Sequence, residues 1–321
     1  MLQIENNTKY AALFPGQGSQ YKGMLSGIET SKYLKEILPI ANEICSVNFH
    51  ELMTEDKENK LNLTQYTQPA LLITSYVLWM HFCDYLNSKN LPKPSFVAGH
   101  SLGEYSALVA SEAINIEDAI RLVYHRGLYM QESCADNVGA MAAILGLENE
   151  NVANLVEQFK KEKNNAEFIL EVANYNALGQ VVVSGSKNTI EEFISYAKSN
   201  GAKMATLLPV SVAAHSSLMT NAAIKLKKLL STINFSVPKI PVLSNVTANL
   251  HDKNVDIIKE DLFKQMTSSV RWVEIIQNFK KMDITATYEV GVNNVLTKLN
   301  KRIDKTINSY IFNDIKELEC I

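Results

Sequence analysis

The chain has 321 residues, enough for one to three domains, and 46% hydrophobic with 20% charged residues is the balance of an ordinary globular protein rather than a disordered or fibrous one. A formal net charge of −3 excludes whole-protein electrostatic attraction to nucleic acid or an anionic membrane, leaving only a local basic patch for such a role. Cys45, Cys83, Cys134 and Cys320 are far apart and form no CxxC pair, so neither a disulfide framework nor a zinc site is indicated and a cytoplasmic setting is expected.

The opening MLQIENNTKYAALFPGQ lacks a basic region followed by an apolar core, so no secretory signal is visible. YAALF predicts a short buried strand ended by the turn-rich PGQGSQ. QPALLITSYVLWMHFCDYLNSKN predicts a long helix with more apolar residues than one exposed face requires, hence a central one, and its polar breaks exclude a membrane span. SFVAG predicts a strand and LGEYSALVASEA the helix after it. IEDAIRLVYHRGLYMQESCA predicts another helix, with Ile116, Ala119, Ile120 and Val123 spaced as a buried stripe. Strands alternating with helices imply an α/β fold with a largely parallel sheet covered on both faces.

From about Asn137 the pattern changes. GAMAAILGL, FILEVANYN, GQVVVSGS and AKMATLLPVS predict strands, with helices at NENVANLVEQFKKEK and NTIEEFISYAKSNG. The order β-α-β-β-α-β is that of a ferredoxin-like unit, expected as an inserted domain over 137–209 between the two parts, 1–136 and 210–321, of a larger domain. The cleft between them is the expected ligand site. Beyond it, NAAIKLKKLLSTI predicts a helix, IPVLSNVTA and TATYEVG strands, and NNVLTKLNKRI a closing helix.

The chemistry centres on FVAGHSLGEYSAL, where Ser101 stands between Gly99 and Gly103 with a strand before and a helix after. G-x-S-x-G in that setting is a nucleophile elbow, which lifts the serine oxygen from the sheet edge and aims a helix N-terminus at whatever it attacks. A serine needs a base. Of six histidines, His81 and His125 lie in apolar helices as packing or capping residues, His50 and His251 lie in polar loop-like segments, and His100 adjoins the serine but points elsewhere. His215, just after the insert, faces the cleft and is the best base on position. Only Asp118 and Asp136 lie between Ser101 and His215, and neither follows a strand as a triad acid should, so something other than a carboxylate orients the histidine.

Taken in order, FPGQGSQ, TQPAL, GHSLGEYSALV, RGLYMQE, GAMAAI, NALGQVVVSG, PVSVAAHSSLM and YEVG resemble the malonyl-CoA:acyl carrier protein transacylases of fatty-acid synthesis over nearly the whole chain. The resemblance implies an α/β-hydrolase-like large domain with a ferredoxin-like insert. It makes Ser101 the nucleophile and His215 the general base and acid of a ping-pong transfer from malonyl-CoA to the phosphopantetheine thiol of acyl carrier protein, with no bound cofactor or metal. Gln17 and Leu102 would supply the oxyanion-hole N–H groups, although PGQGSQ read alone is a polar turn. Arg126 would grip the malonyl carboxylate with two parallel N–H···O bonds; read alone, it fits the edge of an apolar stripe equally well. Gln265, in KQMTSSVRW, would orient the histidine through its main-chain carbonyl, and Asn174 would line the cleft from the insert.

Two departures from the family pattern stand out. Ala213 replaces a frequent proline before the histidine, which leaves acyl selectivity open, and EVGVNN replaces EVGPG. A stand-alone acyltransferase of a polyketide pathway shares the chemistry and the carrier type. A serine thioesterase would have no use for Arg126, and a non-catalytic acyl-binding module would have no use for the serine, histidine and arginine together. Lys298, Lys301 and Arg302, with Lys203, form an expected docking face for an acidic carrier, on a protein expected to be monomeric.

Overall fold

The computed structural model describes residues 4–134, 139–163, 169–210 and 212–318. Asp136, Cys320 and the expected domain boundary at 136/137 lie outside them. In chain order the elements are β1 (Tyr10–Phe14), α1 (Lys32–Cys45), α2 (Phe49–Thr54), α3 (Thr64–Ser88), β2 (Phe96–Gly99), α4 (Leu102–Ala110), α5 (Ile116–Ser133), β3 (Gly139–Leu145), α6 (Asn149–Lys163), β4 (Leu170–Ala177), β5 (Gln180–Ser186), α7 (Lys187–Ser199) and β6 (Met204–Leu207). They continue with α8 (Thr220–Leu230), α9 (Val255–Gln265), α10 (Trp272–Lys281), β7 (Ala286–Val290), α11 (Val295–Ile303) and β8 (Asn308–Phe312).

The first sheet has the order β2-β1-β7-β8 and every pair in it is parallel. Its strands are short apolar runs because both faces are covered: Ala12, Phe14 and Tyr288 join the large core under α3 and α5, while Ala11, Leu13 and Ala98 face a second core with α10 and α11. Helix α3 is buried on nearly all sides, and its threonines are satisfied locally, Thr74 Oγ1 donating to Ala70 O and Thr67 Oγ1 to Leu61 O. His81, on α3, meets the N-cap hydroxyl of α1, Ser31 Oγ, at 2.7 Å.

The second sheet has the order β4-β5-β3-β6 and is antiparallel throughout. The two-residue period of its strands decides how it docks. Ala140, Ala142, Ile144, Val181 and Val183 face α6 and α7, whereas Met141, Val182 and Ala173 join the core of the larger body. Strand β4 is also tied to that body through the main chain, Tyr175 N–H donating to Val270 O at 3.0 Å and Val270 N–H to Ala173 O at 2.9 Å.

Two expectations differ from what is observed. The segment 240–248 forms no extended strand; it makes single bridges only, with Val97 N–H donating to Pro241 O and Leu243 N–H to Val97 O. Pro241 has no N–H for a ladder, and Asn245 turns its side chain into the elbow instead. His251 does lie in a loop segment, but not in a solvated one. Its side chain is fully buried between Glu104 and Asp261, two carboxylates that make a charged ring tolerable there.

The elbow joins β2 to α4 at backbone contact distance. A Cβ on Gly99 would stand 1.9 Å from Gly103 C, and one on Gly103 would stand 2.0 Å from Phe14 O. Gly103→Ala gains helix propensity of up to about 1 kcal/mol, but it pushes a methyl group into backbone that cannot rotate away, a conflict of about 1–3 kcal/mol or more. We expect a melting midpoint lower by roughly 3–6 °C; a midpoint equal to or above the parent's in calorimetry would show that β1 and α4 can part freely.

Candidate active site

Ser101 sits at φ 52°, ψ −105°, a conformation a non-glycine residue holds only when its surroundings enforce it. Asn245 does this from outside the turn: its Oδ1 accepts from Ser101 N–H at 2.7 Å and its Nδ2 donates to Gly99 O at 2.7 Å. The serine oxygen is thereby aimed at His215, with 2.8 Å between Ser101 Oγ and His215 Nε2.

His215 also has a left-handed backbone, φ 60°, and is 4% exposed. Its Nδ1 lies 2.8 Å from Gln265 O and 3.1 Å from Ser268 O. Carbonyl oxygens only accept, so Nδ1 carries the hydrogen and the Nε2 lone pair faces the serine hydroxyl. Two carbonyls thus do the orienting task of a triad aspartate. Burial, and after it the positive charge of Arg126, lowers the His215 pKa to about 3, so the ring is neutral and able to take a proton at any ordinary pH.

Arg126 projects from α5 and is 1% exposed. Its NH1 donates to Gln68 Oε1 at 2.8 Å, and its NH2 donates to Gln265 Oε1 at 2.9 Å and to Ser101 Oγ at 3.1 Å. Among the described residues its Nε has no hydrogen-bond partner, and the Tyr105 ring stands 5.5 Å away. Every group it touches is neutral. A buried guanidinium without a direct counter-ion is costly, so the surroundings of the serine oxygen favour an anion. Gly127 makes the placement possible: a Cβ there would be 2.6 Å from Gln65 Cα and Thr64 O, so only glycine lets α5 approach α3 closely enough for Gln68 to reach Arg126.

The sequence matches the acyl transferase domain family over residues 12–309. It is 37% identical over 308 residues to the malonyl CoA-acyl carrier protein transacylase of Escherichia coli K12, covering 96% of both chains. The chain belongs to the malonyl-CoA:acyl carrier protein transacylase family. A solved structure of the transacylase from Coxiella burnetii is similar at a TM-score of 0.91 with 34% identity, covering 99% of this chain and 98% of that one. A malonyl-transacylase solved in complex with its type II PKS acyl-carrier protein matches at a TM-score of 0.90 with 36% identity, covering 97% and 98%.

Of the residues singled out in this transacylase-family sequence, Ser101, His215, Arg126 and Gln265 meet in one hydrogen-bonded cluster. Gln17 is close by: its Nε2 donates to Thr64 Oγ1 at 3.2 Å, and a Cβ on the adjoining Gly16 would lie 2.3 Å from His100 O. Asn174 is 6% exposed in β4, and among the described residues no hydrogen bond joins its side chain to Ser101, His215 or Arg126. His100 does point away from the serine, its Nε2 meeting Asn176 Oδ1 at 2.7 Å across to the second sheet. Ala213 is fully buried and its N–H donates to Cys134 Sγ at 3.3 Å, a bond that proline could not make. Gly291 survives the departure after it, because a Cβ there would strike the Pro15 ring at 2.4 Å.

Gln68, Asn245 and Glu104 were not foreseen. Gln68 and Glu104 carried one signal, a polar side chain inside an apolar helical run, whereas Asn245 carried none. Among the described residues no helix is long and apolar enough to cross a membrane, and no group of three or more His, Cys, Asp or Glu side chains could hold a metal ion.

Proposed function

We propose that this protein transfers a malonyl group from malonyl-CoA to the phosphopantetheine thiol of acyl carrier protein, through an ester on Ser101. The observation that carries this reading is Arg126, a buried cation with only neutral partners that touches the serine oxygen itself. The malonyl carboxylate is the anion that balances its charge, and gripping it sets the thioester carbonyl beside Ser101 Oγ.

His215 Nε2 accepts the hydroxyl proton as Oγ attacks the thioester carbon, and the C–S bond then breaks, coenzyme A leaving with that proton. The carrier thiol enters by the same steps in reverse. The tetrahedral oxyanion is held by the N–H groups of Gln17 and Leu102. In support, neither donates to an acceptor among the described residues, and Leu102 opens α4, where N–H groups lack helical partners. Asn174 lines the malonyl cavity from the insert.

The domain division that fits is an α/β-hydrolase-like body of residues 1–136 and 210–321, with a ferredoxin-like insert of residues 137–209. Its support is the β3-α6-β4-β5-α7-β6 order and the antiparallel second sheet. A monomer working in the reducing cytoplasm is consistent with the free thiols of Cys45, Cys83 and Cys134.

The carrier docks on the groove shared by Lys203 and Arg302, which Leu178 and Met204 also line. Lys301 belongs to a neighbouring depression with Lys305, and Lys298 is exposed on α11. Raising salt from about 0.05 to 0.5 M is expected to slow transfer to the carrier at least severalfold more than loading from malonyl-CoA; equal slowing of both steps would remove electrostatic docking.

Intact mass spectrometry tests the function directly. Malonyl-CoA should add one malonyl mass to the protein, and holo-carrier should then remove it and gain it. Loss of the adduct without carrier would indicate a thioesterase, and no adduct at all would overturn the reading. Running the second step with fatty-acid and polyketide carriers in parallel identifies the pathway served, since the type II PKS neighbour shows that the same architecture serves polyketide carriers.

A further inference from the structure

We propose that Glu104 is a positioning residue for acyl transfer, which fixes the amide orientation of Gln265 and thereby the two oxygens that hold His215 and Arg126. The inference rests on the roles given to Ser101 and His215 above.

Glu104 lies in the first turn of α4, three residues beyond the serine, and is fully buried. Its Oε2 accepts from Gln265 Nε2 at 2.6 Å, and its Oε1 meets His251 Nε2 at 2.7 Å. The main-chain N–H of Asn245, the residue that clamps the elbow, lies 3.3 Å from both carboxylate oxygens. The carboxylate therefore receives donors from three segments distant in sequence, and two of these segments carry residues that shape the reaction centre.

Gln265 is where the consequence falls. Its Nε2 donates to Glu104 Oε2 and to Ser101 O at 3.0 Å, and its Oε1 accepts from Arg126 NH2. A carboxylate only accepts and a guanidinium only donates. Turning the amide over would set oxygen against oxygen at one end and N–H against N–H at the other, so Glu104 and Arg126 together leave Gln265 one orientation. With the side chain pinned at both ends, its own main-chain carbonyl stays on His215 Nδ1.

His251 stands beside the Glu104 carboxylate, its Nε2 2.7 Å from Oε1. Glu104 faces it from α4 and Asp261 from α9, Asp261 Oδ2 lying 3.3 Å from Nδ1, while its main-chain N–H is held by Val242 O. Burial opposes charge on the ring, but the neighbouring Asp261 and Glu104 carboxylates outweigh it and hold the His251 pKa up at about 9. The buried carboxylate is thus paired with a protonated imidazole rather than with Arg126.

Glu104→Gln keeps the shape and adds an N–H₂ that needs an acceptor. If His251 is neutral, its Nε2 can take that hydrogen, the new amide oxygen still receives Gln265 Nε2, and the site is intact. If His251 is protonated, the new N–H₂ faces a donor on either side and Gln265 is driven out of its orientation. Losing Glu104 also leaves His251 with Asp261 alone, which lowers its pKa by removing one of the two carboxylates that raise it.

The test is the rate at which malonyl-CoA acylates Ser101, followed by quenched intact mass from about pH 5.5 to pH 8.5 on wild type, Glu104→Gln and Glu104→Ala, each normalised to folded protein by circular dichroism. Wild type should show no step in this window. Glu104→Gln should be about tenfold or more slower at the acid end and return to within about threefold of wild type at the alkaline end, and Glu104→Ala should stay slow throughout. A Glu104→Gln rate equal to wild type, or reduced by one constant factor at every pH, would overturn the positioning role. Should wild type itself take no malonyl group, the functional reading fails and not merely this one.

Discussion

Ser101→Ala is expected to abolish the malonyl adduct and to lower transfer by about 10⁴-fold or more. The hydroxyl lies 2.8 Å from His215 Nε2, in position to form the ester, and the elbow holds it there at a strained φ of 52°. His215→Ala should cost a similar factor, because a serine with no base is a poor nucleophile. The double variant should be scarcely worse than either single one, since the two side chains act as a unit. Rapid-quench loading measured on all three decides it. Multiplying single effects would mean that serine and histidine work independently, contrary to their hydrogen bond. Neither substitution touches a core contact of comparable size, so melting midpoints within a few degrees of wild type should accompany the lost activity.

Arg126→Ala is expected to erase the preference for malonyl over acetyl groups. A charge-assisted, two-pronged carboxylate contact contributes about 3–4 kcal/mol, so kcat/KM for malonyl-CoA should fall by roughly 10²–10³-fold while acetyl-CoA is affected far less. Lysine should not restore the loss, because an ammonium cannot present the parallel N–H pair. The same substitution removes a positive charge that lowers the His215 pKa, so the acid limb of the loading profile should shift upward. A variant that still prefers malonyl over acetyl would remove Arg126 from the carboxylate clamp, whatever its residual rate.

Much of this protein is legible in the order of its residues. The elbow was legible because glycines flanking a serine between a strand and a helix have one steric use, and the contacts of Gly99 and Gly103 with neighbouring backbone bear that use out. The central helix α3 was legible because its apolar residues cover more than one face. The second sheet was legible from alternating strands. By contrast, α1, α2, α9, α10 and β8 were passed over, and the strand expected at 240–248 reduces to single bridges, because such segments are decided by what packs beside them and not by their own propensities.

By itself the sequence determined which residues could do chemistry and in what order the elements run, since strand period, helix stripe and glycine sterics are local properties. The tertiary structure alone decided how those residues are tuned: that His215 is oriented by the carbonyls of Gln265 and Ser268, that Arg126 is left with neutral partners, and that His251 is buried between Glu104 and Asp261. Most of these contacts join distant positions: His215 and Gln265 are 50 residues apart, Arg126 and Gln265 139, and His251 and Glu104 147. Hydrogen-bond direction and burial at such separations depend on how packed elements meet, and no local pattern encodes that.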